Sequence, residues 1–158
     1  MLTRFSIFVL ATVASWYGMM LTHEAGHCLG ALATGGTVQN VDLPLWGFSL
    51  TTYRDNPHPL FVAWAGPIGG ALIALLVMAG AIRFKGRWRD LLLYFCGFCL
   101  IANGIYLGVG GFFQIGDCAD LLRHGARLWQ LLLFGMVATA WGGYCWHRLG
   151  SAGDWFNK

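Results

Sequence analysis

Residues 5–27 read FSIFVLATVASWYGMMLTHEAGH. No side chain from 5 to 22 ionises, and that length reaches the roughly 17 to 25 apolar residues with which an α-helix crosses about 30 Å of hydrocarbon. His23, Glu24 and His27 follow with no turn signal between, and the apolar run resumes as far as Ala33. Gly35 and Gly36 then end it, because glycine accepts the left-handed backbone that stops a helix. The stretch is expected to be one long membrane helix with three polar groups inside it. The other reading of its start is a cleaved signal peptide, with Arg4 ahead of an apolar run and small residues near Ala14. That reading needs the apolar pattern to stop after a short core, whereas here it continues through the motif.

The whole chain agrees. Apolar residues make up 57% of its 158 residues and charged residues 11%, against about 25% charged in an ordinary soluble domain. A fold this small cannot hide so much apolar surface from water, which excludes disorder and a nucleic-acid partner and makes the lipid bilayer the solvent. Three further stretches are almost free of charge: 56–82, where only His58 ionises, 91–116 and 128–146. In lipid the backbone must satisfy its own hydrogen bonds, and no ten-residue alternation suggests a barrel, so these are helices. The expected fold is an all-α membrane protein, a bundle of about four transmembrane helices with a short β-hairpin between the first two. It forms a single domain over 1–158, multi-pass, in the cell (inner) membrane.

The hairpin is read after Gly36. Val41, Leu43 and Leu45 alternate with Asn40, Asp42 and Pro44, and after Trp46-Gly47 the run 48–53 is rich in threonine and aromatics. Pro44 confines its strand to an edge. Two roles stay open: an amphipathic flap on the membrane interface, or an edge on which Val41 and Leu43 receive an extended peptide by backbone pairing.

In the second helix Pro67 interrupts the hydrogen-bond ladder, and Gly66 and Gly70 allow close helix approach. The third helix carries Gly104 and Gly108 and is expected to break at Gly110-Gly111 before leading to Asp117. The five cysteines are odd in number and lie in or beside apolar segments, so no disulfide framework is expected; Cys96 and Cys99 read as packing residues. Arg83, Lys85, Arg87 and Arg89 form a cytoplasmic anchor. With Arg4, Arg148 and Lys158 on the same side, and only Arg54, Arg123 and Arg127 opposite, the charge rule puts both termini in the cytoplasm.

His23, Glu24 and His27 need a reason to stand in lipid, where an acidic group costs several kcal/mol unless paired or facing a polar cavity. Glu24 is the only glutamate in the chain. Two histidines four apart project from one helix face, close enough to grip one ion. Zinc suits them, since it takes imidazole nitrogens tetrahedrally and a catalytic site keeps one position for water. Glu24, beside His23 but off the ligand axis, is placed to take a proton from that water. The alternative is a pair of satisfied polar side chains or a proton path. A third ligand has to come from elsewhere: Asp117, with Asp120, Cys118 and His124 as the other choices. Locally, Asp117 also reads as a helix N-cap with Asp120 as its capping-box-like partner.

These motifs resemble the site-2 proteases, intramembrane zinc metalloproteases, over most of the chain. His23-Glu24-Ala25-Gly26-His27 is similar to their H-E-x-x-H with its small filler, Ala65-Gly66-Pro67 to the Ala-Gly-Pro that opens their next core helix, and the run from Asp117 to Arg123 to their Asp-Gly-Gly-Arg-x-Leu-Arg. The resemblance implies one zinc per chain held by His23, His27 and Asp117, with Glu24 as catalytic acid and base. It also implies a membrane-spanning protein as substrate and Asn103 as a substrate-binding residue. Asn103 lies well upstream of Asp117 without the family's following proline, and Cys118 stands where the family has glycine. The first core helix of that family enters from outside, contrary to the charge rule, so orientation stays open, as does oligomeric state. The reading from another class is a non-catalytic metal-binding relative, or a small transport component using the same polar residues.

Overall fold

A computed structural model describes residues 2–81 and 83–149, the side chains from residue 5 on. The Arg4 side chain and Lys158 of the charge comparison lie outside the described residues. The order is α1 (Leu2–Ala33), β1 (Thr37–Asp42), β2 (Leu50–Asp55), α2 (Pro59–Ala81), α3 (Arg87–Phe113), α4 (Asp117–Arg123) and α5 (Leu128–His147). Among the described residues, four helices are long and apolar enough to cross a membrane: Phe5–Ala33, Pro59–Ala81, Arg87–Phe113 and Leu128–His147. Their outer faces expose Leu10, Leu21, Leu29, Leu76, Val109 and Met136, side chains that only lipid would solvate favourably. The protein is a multi-pass integral membrane protein.

Without a hydrophobic force between helices in lipid, close packing is what joins them, and glycine supplies the room. A Cβ on Gly26 would meet the Ala65 carbonyl, and one on Gly69 would meet Gly26 Cα, so the small residue inside the histidine motif and the small run around Pro67 are two halves of the α1/α2 contact. On the other side of the bundle, Gly104 and Gly108 of α3 face Gly135 of α5, and Gly97 faces Gly142 and Trp146. Leu107, Cys118, Leu121 and Leu131 fill the space between α3, α4 and α5.

Three sequence expectations change. The third helix does not break at Gly110-Gly111: α3 runs on to Phe113 and ends with Gln114 in the left-handed conformation at φ 51. Those two glycines serve close approach instead, Gly110 to Cys118 Sγ and Gly111 to Leu128 and Leu131. The first strand is Thr37–Asp42, not the alternation 41–45. It stops two residues short of Pro44, which has no N–H for the ladder. Val41 is paired with Thr51, Leu43 lies beyond the strand, and a bulge falls between Val38 and Asn40. Finally, Asp117 is inside α4 rather than capping it; Gly116 holds the cap position and no side-chain cap bond forms.

The segment 43–49 between the strands folds back along α1. Tyr17 donates its hydroxyl to the Leu45 carbonyl at 3.1 Å, roughly 24 Å of helix back from Ala33 at 1.5 Å per residue. The hairpin is thereby carried to the depth of the polar motif.

Candidate metal and catalytic site

His23, Glu24 and His27 are all buried in α1. Each histidine ring is committed at its Nδ1. His23 Nδ1 donates to Asn103 Oδ1 at 2.7 Å, and His27 Nδ1 donates to the Val62 carbonyl at 2.8 Å. Neither oxygen can donate, so in each neutral ring the Nε2 carries a bare lone pair. The Asn103 amide is itself fixed, because its Nδ2 donates to the Cys99 carbonyl at 2.9 Å.

The two lone pairs converge on a third acceptor. His23 Nε2 lies 2.8 Å from Asp117 Oδ2, His27 Nε2 lies 3.2 Å from the same oxygen, and the two Nε2 atoms are 3.2 Å apart. Three acceptors pressed together in a buried site repel unless a cation or shared protons stand among them. Among the described residues, this is the one group of three or more His, Cys, Asp or Glu side chains spaced to hold a metal ion. Burial alone would raise the Asp117 carboxyl. Positive charge among the three, supplied in the absence of a cation by protons on the His23 and His27 Nε2 atoms, outweighs it and holds that carboxyl well below the usual carboxylate range. Tyr106 supports Asp117 from behind, its hydroxyl accepting from the Asp117 backbone N–H at 3.0 Å.

The other choices for a third ligand are engaged elsewhere. Asp120 pairs with Arg123 at 2.9 Å on the exposed side of α4, and His124 Nδ1 bonds the Asp120 carbonyl at 2.7 Å. Cys118 is buried, with Sγ toward the Tyr106 and Leu107 carbonyls at 3.4 and 3.8 Å, and it is not among the side chains spaced to share an ion with the two histidines.

Glu24 stands outside the group of three. Its Oε1 accepts from Ser49 Oγ at 2.6 Å and its Oε2 from Thr51 Oγ1 at 2.5 Å. The sequence reading passed over both hydroxyls. Their spacing of two on an extended run is the available signal, but serine and threonine are too common in such runs for it to stand out. Glu24, the histidines and Asp117 open onto one cavity of about 730 Å³, which Ser49, Thr51 and Tyr53 line on the hairpin side and Tyr106 on the helical side. Val41 and Leu43 do not line it. Asn103 does, and its amide makes one bond to His23 and one to the Cys99 carbonyl.

No curated protein and no solved structure matches the chain. A family model described as Peptidase M50B-like matches residues 5–107, a stretch that includes His23, Glu24, His27, Pro67 and Asn103 and ends before Asp117. The chain therefore belongs to the Peptidase M50B-like family, within the site-2 proteases.

Proposed function

We propose that this protein is an intramembrane zinc endopeptidase, cutting peptide bonds in or near the transmembrane segments of membrane proteins, and that residues 1–158 act as one catalytic domain. The observation that carries the reading is the convergence of His23 Nε2, His27 Nε2 and Asp117 Oδ2 at 2.8 to 3.2 Å from one another. Those spacings approach the roughly 3.3 Å edge of a tetrahedron with bonds of about 2.0 Å, and two imidazoles with one carboxylate form a hydrolytic zinc donor set. Zinc held there supplies Lewis acidity, polarising the substrate carbonyl and making water nucleophilic near neutral pH.

The chain's own residues do the rest. Glu24 takes a proton from the attacking water as the new carbon–oxygen bond forms, and returns it to the leaving nitrogen as the carbon–nitrogen bond breaks. Asn103 and the Val62 carbonyl keep the imidazoles facing the centre. A helical peptide bond is shielded by its own turn, so the substrate has to unwind. The cavity is lined by 48–51 and Tyr53 of the hairpin, and β2 pairs only with β1 among the described residues. The unwound segment lies along β2 in this reading, not along Val41 and Leu43.

The test uses Glu24→Gln. With a dye-labelled single-span peptide, its apolar segment interrupted by Gly-Pro and reconstituted in liposomes, the variant should keep one zinc and lose cleavage by a factor of about 100 to 10,000. Cleavage by Glu24→Gln at the wild-type rate would sink the hydrolase reading.

A further inference from the structure

Glu24 is 3% exposed, yet the two groups that hold its carboxylate come from outside its own helix. Ser49 lies just before β2 and Thr51 within it. Residues two apart on an extended chain share a face, and these two hydroxyls reach one carboxylate oxygen each, at 2.6 and 2.5 Å. Leu50 between them is exposed. Bonds this short belong to the charge-assisted class. Thr51 is held in register by its pairing with Val41, and the segment ahead of Ser49 is tied to α1 by Tyr17. Two donors on different oxygens fix the carboxylate plane, which one donor, or the helix backbone alone, would leave free to turn.

We propose that Ser49 and Thr51 are positioning residues for the general base: the hairpin, through this pair of hydroxyls, sets where the Glu24 carboxylate points. The proposal rests on the reading of Glu24 as acid and base. It makes the hairpin part of the proton-transfer machinery, so that a shift of β2 when a substrate segment arrives is transmitted to Glu24. A fastening role alone, in which the two bonds only pin the hairpin to α1, predicts a different pattern of losses.

Because Glu24 is the only glutamate, [5-13C]glutamate supplied during cell-free synthesis, with glutamine synthesis blocked, labels this one carboxylate. Its carbon signal is read in the zinc-loaded protein for Ser49→Ala, Thr51→Val, the double variant and Thr51→Ser. The signal should move in the first two, further in the double variant, and return in Thr51→Ser. Hydrolysis of the single-span peptide should fall about 10- to 100-fold in kcat for the double variant, the scale on which misplaced catalytic groups act, with KM and zinc content unchanged and recovery in Thr51→Ser. A signal that stays in place in the double variant overturns the proposal, as does a displaced signal with undiminished kcat. Loss of zinc together with rate would reduce the pair to fasteners. A wild-type rate for Glu24→Gln is the separate sign that the underlying base assignment is wrong, and is distinguishable because these hydroxyl variants do not enter into it.

Discussion

Asn103 Oδ1 accepts the His23 Nδ1 proton at 2.7 Å, joining α3 to α1 behind the site. Since the Asn103 Nδ2 is spent on Cys99, the amide can face only one way, and His23 is left with its Nε2 lone pair toward Asp117. Partners of this kind typically carry 10- to 100-fold in metal affinity. Asn103→Leu keeps the volume and removes the acceptor, so the zinc dissociation constant, measured against a chelator, should rise by about that factor. If Asn103 served only the substrate, affinity for the metal would not change.

Gly66 tests the same principle from the side of α2. A Cβ there would overlap the His27 ring, whereas one on Gly80 would meet nothing within 4 Å. Gly66→Ala should therefore displace the ring, weaken zinc binding and destabilise the protein by about 1 to 3 kcal/mol, the usual cost of overpacking. Gly80→Ala, in the same helix, should leave melting temperature and zinc content near wild type. Equal behaviour of the two variants would contradict the packing described for His27.

How much of this was legible beforehand follows from what lipid punishes. Charges cannot be scattered in a membrane, so the gaps between them marked the four spans, and three polar side chains inside the first span marked the site. The hairpin's existence was readable from Gly35-Gly36 and the threonine-rich run. Its register was not, because alternation continues past Asp42 into residues where Pro44 forbids pairing. Gly110-Gly111 was ambiguous for a different reason: a glycine pair marks either a break or a close approach, and only Cys118, Leu128 and Leu131, distant in sequence or in another element, decide between them. The spacing of Ser49 and Thr51 was too ordinary a mark, since their importance lies in a partner 25 or more residues away.

The thiol of Cys118 offers a check on the surroundings of Asp117. Its folded value of about 12 lies above the roughly 8.5 of an unfolded cysteine. A group raised in this way adds stability that is complete below pH 8.5 and is lost as pH climbs toward 12. In the folded protein at pH 8.5 the Cys118 peptide should resist iodoacetamide, and label only once detergent or denaturant unfolds the chain. Rapid labelling of the folded protein, read by mass spectrometry, would show that the thiol is not sealed from solvent and contradict the packing described around Cys118.

The third ligand is the assignment with the most local competition, because Asp117 and Asp120 lie one turn apart on α4. Their surroundings differ. Asp117 has one oxygen against both Nε2 atoms and no capping bond to make, whereas the Asp120 side chain is 53% exposed and paired with Arg123. An exposed pair of that kind contributes roughly 0 to 1 kcal/mol, so Asp120→Ala should retain one zinc per chain and lose little stability. Asp117→Ala removes the proposed ligand and leaves two buried lone pairs facing each other; zinc content after dialysis should fall toward zero. Asp117→Asn keeps the shape and loses the charge, so it should bind zinc weakly and release it first in a chelator titration. Zinc retained in Asp117→Ala and lost in Asp120→Ala would mean that α4 turns its other face to the histidines when metal is bound, and the donor set would have to be redrawn around Asp120.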